Sequence, residues 1–235
     1  MLGSTQLGLS QNQILAALSR EETKDLLPSL ELISLRPGEI LYRPGAPMRY
    51  VYFPLNSVVY LLASMGGGRT VEVNLIGEEG MLGLRAVLGA KTSGKLAAVH
   101  IPGSCLRIKA NVIQAQFKRC GGLHDRLLRY TRYLLCQISQ TAACNRGHLV
   151  EQRLARWLLM VHDRAKKDEF PITHALLSDM LGTPRSEVTL AAGMFRKADI
   201  VRYVRGRITI LNRRKLESTA CQCYRIVSDE LDHPI

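Results

Sequence analysis

The stretch Ile172-Thr-His-Ala-Leu-Leu-Ser-Asp-Met-Leu-Gly-Thr-Pro-Arg-Ser-Glu-Val-Thr-Leu-Ala-Ala-Gly-Met-Phe195 decides the fold. Thr173 is a helix-capping type, the apolar periodicity runs to Leu181, Gly182 interrupts it, and Pro184 opens a second helix expected to reach about Lys197. Helix, glycine turn and helix at this spacing read as a helix-turn-helix. The second helix divides lengthwise: Val188, Ala191, Ala192 and Phe195 fall on one side, Arg185, Ser186, Glu187 and Thr189 toward the other. A helix built this way seats its apolar side on a core and offers its polar N-terminal residues to the major groove. Directly downstream, Val201-Arg-Tyr-Val204 and Ile208-Thr-Ile-Leu211 read as two strands around Arg205-Gly206-Arg207, a hairpin wing with a basic tip.

The same residues assign a division of labour on DNA. Arg185 has the fork geometry for a bidentate contact to guanine O6 and N7, and Glu187 could accept from cytosine N4 or orient Arg185. Ser186 and Thr189 complete the base-reading set. Thr173 and Thr183 at helix starts, with Arg205 and Arg207 at the wing tip, are placed for phosphates, which position the domain without carrying sequence information. Singly, each of these residues also fits a solvated basic face or a helix cap. Cap, glycine turn, polar face and basic wing together point to double-stranded DNA.

Composition agrees. The chain has 235 residues, 46% hydrophobic and 22% charged, an ordinary globular balance that excludes disorder as the main state. Lys and Arg exceed Asp and Glu by 32 to 20, a net +12 that favours a polyanionic partner. Between Arg185 and Lys215, nine basic residues face two acidic ones. No apolar run is long enough to span a bilayer and no secretory leader opens the chain, so no membrane partner and a cytoplasmic location are the expectation.

Upstream, residues 10–27 carry one or two short helices, with Ile14, Leu15, Leu18, Leu26 and Leu27 near helical spacing. From Leu30 to about Ile108 the texture is short alternating strands broken by turns such as Arg36-Pro-Gly38, Arg43-Pro-Gly45, Gly66-Gly-Gly68 and Ile101-Pro-Gly103, which predicts an antiparallel sandwich or roll. After Gly122 the period turns helical, and Leu127, Thr131, Leu134, Ile138, Thr141 and Asn145 step 4-3-4-3-4 along one face. That stripe either covers the β domain or joins two copies; a homodimer is preferred because a two-fold reader needs one. Gly147-His148 breaks the helix, a second amphipathic helix carries Val150, Leu154, Trp157, Leu158 and Val161, and residues 162–170 read as a charged connection. The expected organisation is α+β: a β-roll domain with leading helices over 1–121, a dimerisation helix over 122–147, and a winged helix-turn-helix domain over 148–235.

In this order and spacing the chain resembles the Crp/Fnr superfamily of bacterial transcription regulators. Ile172 to Arg185 looks like the family's helix-turn-helix, Gly206-Arg-Ile-Thr-Ile210 like its wing, and Leu35-Arg-Pro-Gly-Glu-Ile-Leu-Tyr-Arg-Pro-Gly-Ala-Pro47 like the entry to its cyclic-nucleotide-binding-like roll. The resemblance implies a homodimer with an N-terminal sensory roll, a palindromic operator, and RNA polymerase as a further partner. Two departures limit it. The recognition helix follows Arg185 with Ser186, and has Leu190 where the family often has a second basic residue, so familiar operators do not carry over.

In the roll, Gly77-Glu-Glu-Gly-Met-Leu-Gly-Leu84 matches the family's phosphate cradle, but Met81 stands where a ribose-binding Glu belongs and no Arg-Ser or Arg-Thr pair precedes Leu96. A cyclic nucleotide is therefore disfavoured. Gly80, Met81, Gly83 and Arg85 mark the candidate pocket for an unidentified effector.

No cofactor and no metal are expected. There is no cysteine before Cys105, which removes an N-terminal iron-sulfur loop; Cys221-Gln-Cys223 is a two-ligand fragment without a second pair, and His148 and His162 lie off zinc-finger spacing. No carboxylate pair, nucleophile elbow, Walker loop or HExxH appears, so an enzyme is not expected. The competing class is a small-molecule-binding signalling module whose basic C-terminal domain contacts a protein partner.

Overall fold

The structure, a computed structural model, describes residues 8–67 and 69–232. It divides into two compact units. The first holds the residues up to 61 together with 76–134; the second holds 62–75 together with 135 onward. The division falls inside the long helix and not at the expected boundary after residue 121, and most of one hairpin, residues 62–75, belongs to the C-terminal unit.

The chain opens with α1 (Gln13–Ala16) and α2 (Arg20–Leu26). Asn12 caps α1 while its amide donates to the carbonyls of Pro54 and Gly80, so one buried side chain ties the leading helix to the roll. Ser19 and Glu22 form a capping box that starts α2. The strands β1 (Glu31–Leu35), β2 (Ile40–Tyr42), β3 (Tyr50–Pro54), β4 (Val58–Gly66) and β5 (Arg69–Ile76) follow. After α3 (Leu84–Val87) come β6 (Leu96–Ile101), β7 (Gly103–Lys109), α4 (Ala110–Phe117) and α5 (Gly122–Gly147). One sheet has the order β1-β7-β3 and the other β2-β6-β4-β5. The pairings of β1 and β3 with β7 and of β2 with β6 are antiparallel, as the alternating texture predicts. Phe53, Leu106, Ile108, Ile113 and Leu127 are fully buried and form the centre of this unit. Each such side chain contributes about 1.5–3 kcal/mol by leaving water.

Two elements of this unit escape the sequence reading. β1 has exposed residues at three of its five positions, so it lacks a clean alternation. Helix α4 has no side-chain cap, so nothing announces its start.

The second unit continues with α6 (Val150–Ala165), β8 (Glu169–Pro171), α7 (His174–Leu181), α8 (Arg185–Lys197), β9 (Val201–Val204), β10 (Arg207–Ile210), α9 (Arg213–Thr219) and α10 (Cys223–Asp232). Helix α6 is its core: Leu154, Leu158, Leu159 and Val161 are fully buried. Its arginines are also buried, and each has a defined acceptor. Arg153 donates to the carbonyl of Leu181, Arg156 to Thr141 Oγ1 at 3.1 Å, and Arg164 to the carbonyl of Met160 at 2.9 Å. Trp157 Nε1 donates to Glu72 Oε2 at 2.8 Å. Burial raises the Glu72 carboxyl to about 7 against the opposing pull of Trp157, Arg156 and Arg164.

The charged connection over 162–170 is mostly structured. Helix α6 continues to Ala165, Lys166 turns the chain at positive φ, and β8 pairs with β10. The wing is therefore a three-stranded sheet of order β8-β10-β9. A three-residue strand in a charged stretch has no periodicity to betray it.

A candidate nucleic-acid interface

The turn before α8 is built from local bonds. Thr173 caps α7 by accepting from the Leu176 amide, and Gly182 ends it in the left-handed conformation at φ +59°. The positive φ demands glycine there, and a Cβ would also press on Val71 Cγ2 at 3.0 Å. Ser178 Oγ donates to the Thr183 carbonyl at 2.6 Å and locks the turn.

Helix α8 begins at Arg185 with Pro184 in the capping position and without a side-chain cap. Thr183 is outside the helix and donates to Glu187 Oε2 at 2.7 Å. Glu187 thus holds the turn through Thr183 and not by way of Arg185. Val188, Ala191, Ala192 and Phe195 are buried, while Arg185, Ser186, Glu187 and Thr189 are exposed, the division read from the sequence.

Arg185 makes no hydrogen bond or ion pair among the described residues, which leaves its fork free for a partner. It lies near His174, whose imidazole is pushed below its usual range first by burial and second by this guanidinium. The ring packs against Tyr203, tilted by 32° with centroids 4.7 Å apart. Tyr203 in turn donates to the Ile172 carbonyl at 2.8 Å. Thr189 donates to the Arg185 carbonyl at 2.8 Å, so its oxygen meets His174 Nδ1, 3.0 Å away, as an acceptor. Its hydroxyl proton is spent inside the helix, and what Thr189 offers a base is its methyl group and a lone pair.

Two further side chains share this face, and the polar-residue pattern does not point to them. Leu190 is 68% exposed and Met194 54% exposed, one turn apart on α8. Apolar groups left out on a recognition helix fit the thymine methyl. The signal for them is Leu190 itself, an apolar residue where the family often has a basic one.

At the wing, Val204 pairs with Arg207 across a two-residue turn in which Arg205 and Gly206 both have positive φ, 48° and 75°. This is the primed-turn geometry that matches strand twist. Arg205 projects from the tip without a partner among the described residues. Arg207 is engaged: its Nε bonds Glu169 Oε1 at 2.6 Å, and Glu169 is held below the usual carboxylate range mainly by that bond.

On α5, Leu127 is fully buried within the first unit, Thr131 bonds back to the Leu127 carbonyl at 2.7 Å, and Leu134 and Thr141 are half-buried. Ile138 and Asn145 are exposed, as are Leu128 and Leu135. The apolar face that α5 turns to solvent therefore runs through Leu128, Leu135 and Ile138, displaced from the predicted stripe at Leu127.

The candidate effector residues are placed differently. Met81 is 1% exposed. Tyr130 donates to its carbonyl at 3.0 Å, and a Cβ on Gly80 would overlap the Tyr130 ring. Gly83, at φ +104°, is crowded by Tyr42 and Val51. Gly80, Met81 and Gly83 thus face packed protein, and only Arg85 is exposed. Elsewhere in the first unit, a cleft of about 560 Å³ is lined by residues including Arg49, Tyr50, Lys91, Lys109 and Asn111.

Among the described residues no helix is long and apolar enough to cross a membrane. Residues 32–120 match the cyclic nucleotide-binding domain family and residues 152–219 the Crp-like helix-turn-helix domain family. No curated protein matches the chain. Among solved structures, FixK2 from Bradyrhizobium japonicum is 18% identical and superposes with a TM-score of 0.69, over 82% of this chain and 98% of that one. A CRP/FNR-family transcriptional regulator from Thermus thermophilus gives 20% identity and a TM-score of 0.67, over 81% and 98%. The c-di-GMP responsive global regulator CLP of Xanthomonas campestris gives 12% and 0.68, over 83% and 100%. At these identities the structures show a shared fold. With the two domain families matched in that order, a roll followed by a winged helix-turn-helix, the chain belongs to the Crp/Fnr family of transcription regulators.

Proposed function

We propose that the protein acts as a homodimer that reads a two-fold symmetric DNA site. The observation that carries this reading is the exposed N-terminal half of α8, where an unpartnered Arg185 stands beside Ser186, Thr189 and Leu190 on a helix whose other side is buried. Arg185 would take a guanine edge, Leu190 and the Thr189 methyl group would favour thymine, and Ser186 would accept either donor or acceptor. Glu187 supports the turn through Thr183. Thr173 and Arg205 would meet phosphates, with Arg207 available only when it leaves Glu169. The apolar face of α5 at Leu128, Leu135 and Ile138 would supply the dimer contact.

The roll would carry the controlling signal from the cytoplasm, and the filled cradle at Gly80 and Met81 argues that the signal is not a cyclic nucleotide. No catalytic step is assigned.

The test is selection of bound fragments from random duplex DNA at about 0.15 M salt, followed by footprinting. Recovery of symmetric sites, with half-sites about one helical turn apart, is the expected result. Salt-sensitive binding without any preferred sequence, or a monomer in solution at working concentration, would sink the reading.

A further inference from the structure

Within the second unit, four potential metal ligands from three parts of the sequence meet. Cys144 lies near the C-terminal end of α5, His148 lies just after that helix, and Cys221 and Cys223 flank the junction of α9 and α10. The sulfurs of these cysteines and a ring nitrogen of the histidine all lie within 4.8 Å of one another. Cys144 Sγ and Cys221 Sγ are 3.4 Å apart, and Cys223 Sγ is 3.7 Å from His148 Nδ1. The three cysteines are buried and form an apolar cluster of their own; His148 is half-buried at its edge.

We propose that Cys144, His148, Cys221 and Cys223 bind a single Zn²⁺ ion in a closed tetrahedral site. The distances carry the choice of ion. With metal–sulfur bonds of about 2.3 Å, a tetrahedron puts its sulfurs about 3.8 Å apart, a few tenths of an ångström from the 3.4 Å between Cys144 and Cys221. A cluster of several irons holds its thiolates farther apart, and a disulfide requires a sulfur separation of about 2.05 Å. Three thiolates and one imidazole match the ligand set and number of a structural zinc site, in which no position is left for water.

Charge balance also fits. Binding displaces up to three thiol protons to solvent, and three thiolates around Zn²⁺ with a neutral imidazole leave one negative charge. The buried guanidinium of Arg156, which donates to Thr141 Oγ1 one helical turn before Cys144, brings a positive charge to the same stretch of α5. An ion there would fasten the end of α5 to the start of α10.

The pattern is hidden in sequence because each half is small. Cys144 and His148 are four residues apart, one helical turn, while Cys221-Gln-Cys223 lies more than seventy positions away. The missing second pair of the Cys-x-Cys fragment is supplied by the fold.

The experiment uses the full chain, purified under reducing conditions without a metal-binding tag, and measures bound metals by elemental analysis. The expected result is about one zinc per chain, lost in a Cys221→Ser/Cys223→Ser variant and kept in Cys120→Ser, whose thiol is exposed elsewhere. Because a variant in a buried cluster can lose metal by failing to fold, a second measurement uses the parent chain. Zinc is stripped with a chelator and Co²⁺ is added; the expected spectrum has tetrahedral ligand-field bands with a strong thiolate-to-cobalt charge-transfer band, both erased by zinc. Failure to bind either metal overturns the proposal. So does a Cys144–Cys221 disulfide in the anaerobically purified protein, or an iron-sulfur chromophore in place of zinc.

Discussion

Two glycine turns of this molecule look alike in sequence and end differently. In the first unit Gly80 and Gly83 lie in the stretch that resembles the family's phosphate cradle; in the second, Gly182 precedes the helix proposed to face DNA. Both sites are crowded, since a Cβ would collide at Gly80 and press on Val71 at Gly182. What differs is the next few residues. After Gly182 the chain places Arg185 and Ser186 in solvent. After Gly80 it places Met81 in the core, and Tyr130 closes over the turn. A glycine turn marks where a backbone must bend or be approached closely. Whether the approaching group is a ligand or a side chain of the same protein is decided by the residue that follows and by what a distant helix brings over it.

The largest effect is expected where the comparison is sharpest. Arg185→Ala removes one bidentate base contact from each half-site, about 1–3 kcal/mol apiece, so a symmetric operator should bind roughly thirty-fold weaker or worse. Preference at the guanine position should relax at the same time. Competition binding against selected and single-base-changed duplexes measures both. Unchanged affinity and selectivity would mean that the open face of α8 is not the reading surface.

Sequence reading reached the second unit further than the first, for a physical reason. Residues proposed to read bases sit exposed on a single helix, where residue type and a 3.6-residue period point to them; Arg185, Ser186, Glu187 and Thr189 are all exposed on α8, as that period predicts. The role of Glu187 was not legible, because its bond to Thr183 depends on Pro184 ending the turn one residue later than a threonine cap would. In the first unit the decisive partner of Met81 is Tyr130, 49 positions away on α5, and no local pattern announces that contact. Separation in sequence likewise hides Glu169 behind Arg207 and His148 behind Cys223. Leu127 shows the limit of periodicity: the 4-3 stripe correctly finds a long helix, yet neighbouring positions 127 and 128 differ in whether they meet the roll or solvent.

The closed cradle can be broken deliberately. Gly80→Ala pushes a methyl group into the Tyr130 ring, an overpacking that should cost about 1–3 kcal/mol in chemical denaturation. In the parent, cyclic AMP or cyclic GMP should leave the unfolding midpoint unchanged, since only a ligand that binds the native state raises it. A rise with either nucleotide would show that Tyr130 yields, and would remove the contrast between the two turns.

A buried charge in the second unit should have a somewhat smaller effect. Glu72 titrates near 7 in the folded chain because burial disfavours its anion, against 4.5 for a free carboxyl of this type. The native state therefore holds a proton that the unfolded state has released, and stability falls as pH rises through 7. Between pH 6 and pH 8 the loss from this one group is between about one and two kcal/mol. Glu72→Gln, which keeps an acceptor for Trp157, should flatten that slope in denaturation curves across the window. An equal slope in the variant would assign the pH dependence to other groups.

The smallest effect lies at the wing, where two arginines two positions apart are held differently. Arg205 has no partner on the described chain, whereas Arg207 shares its charge with Glu169. Each cation placed on a phosphate releases counterions and steepens the dependence of log K on log salt by about 0.9. Arg205→Ala should therefore reduce the slope by nearly one unit for each wing and weaken all duplex sequences alike. Arg207→Ala should reduce it less, because an ion pair carries no net charge to the backbone unless it first opens. Glu169→Gln separates the cases: it frees Arg207 and should steepen the slope. Equal slopes for the two alanine variants would mean that Arg207 leaves Glu169 on binding, making the wing's ion pair a resting contact of the free protein.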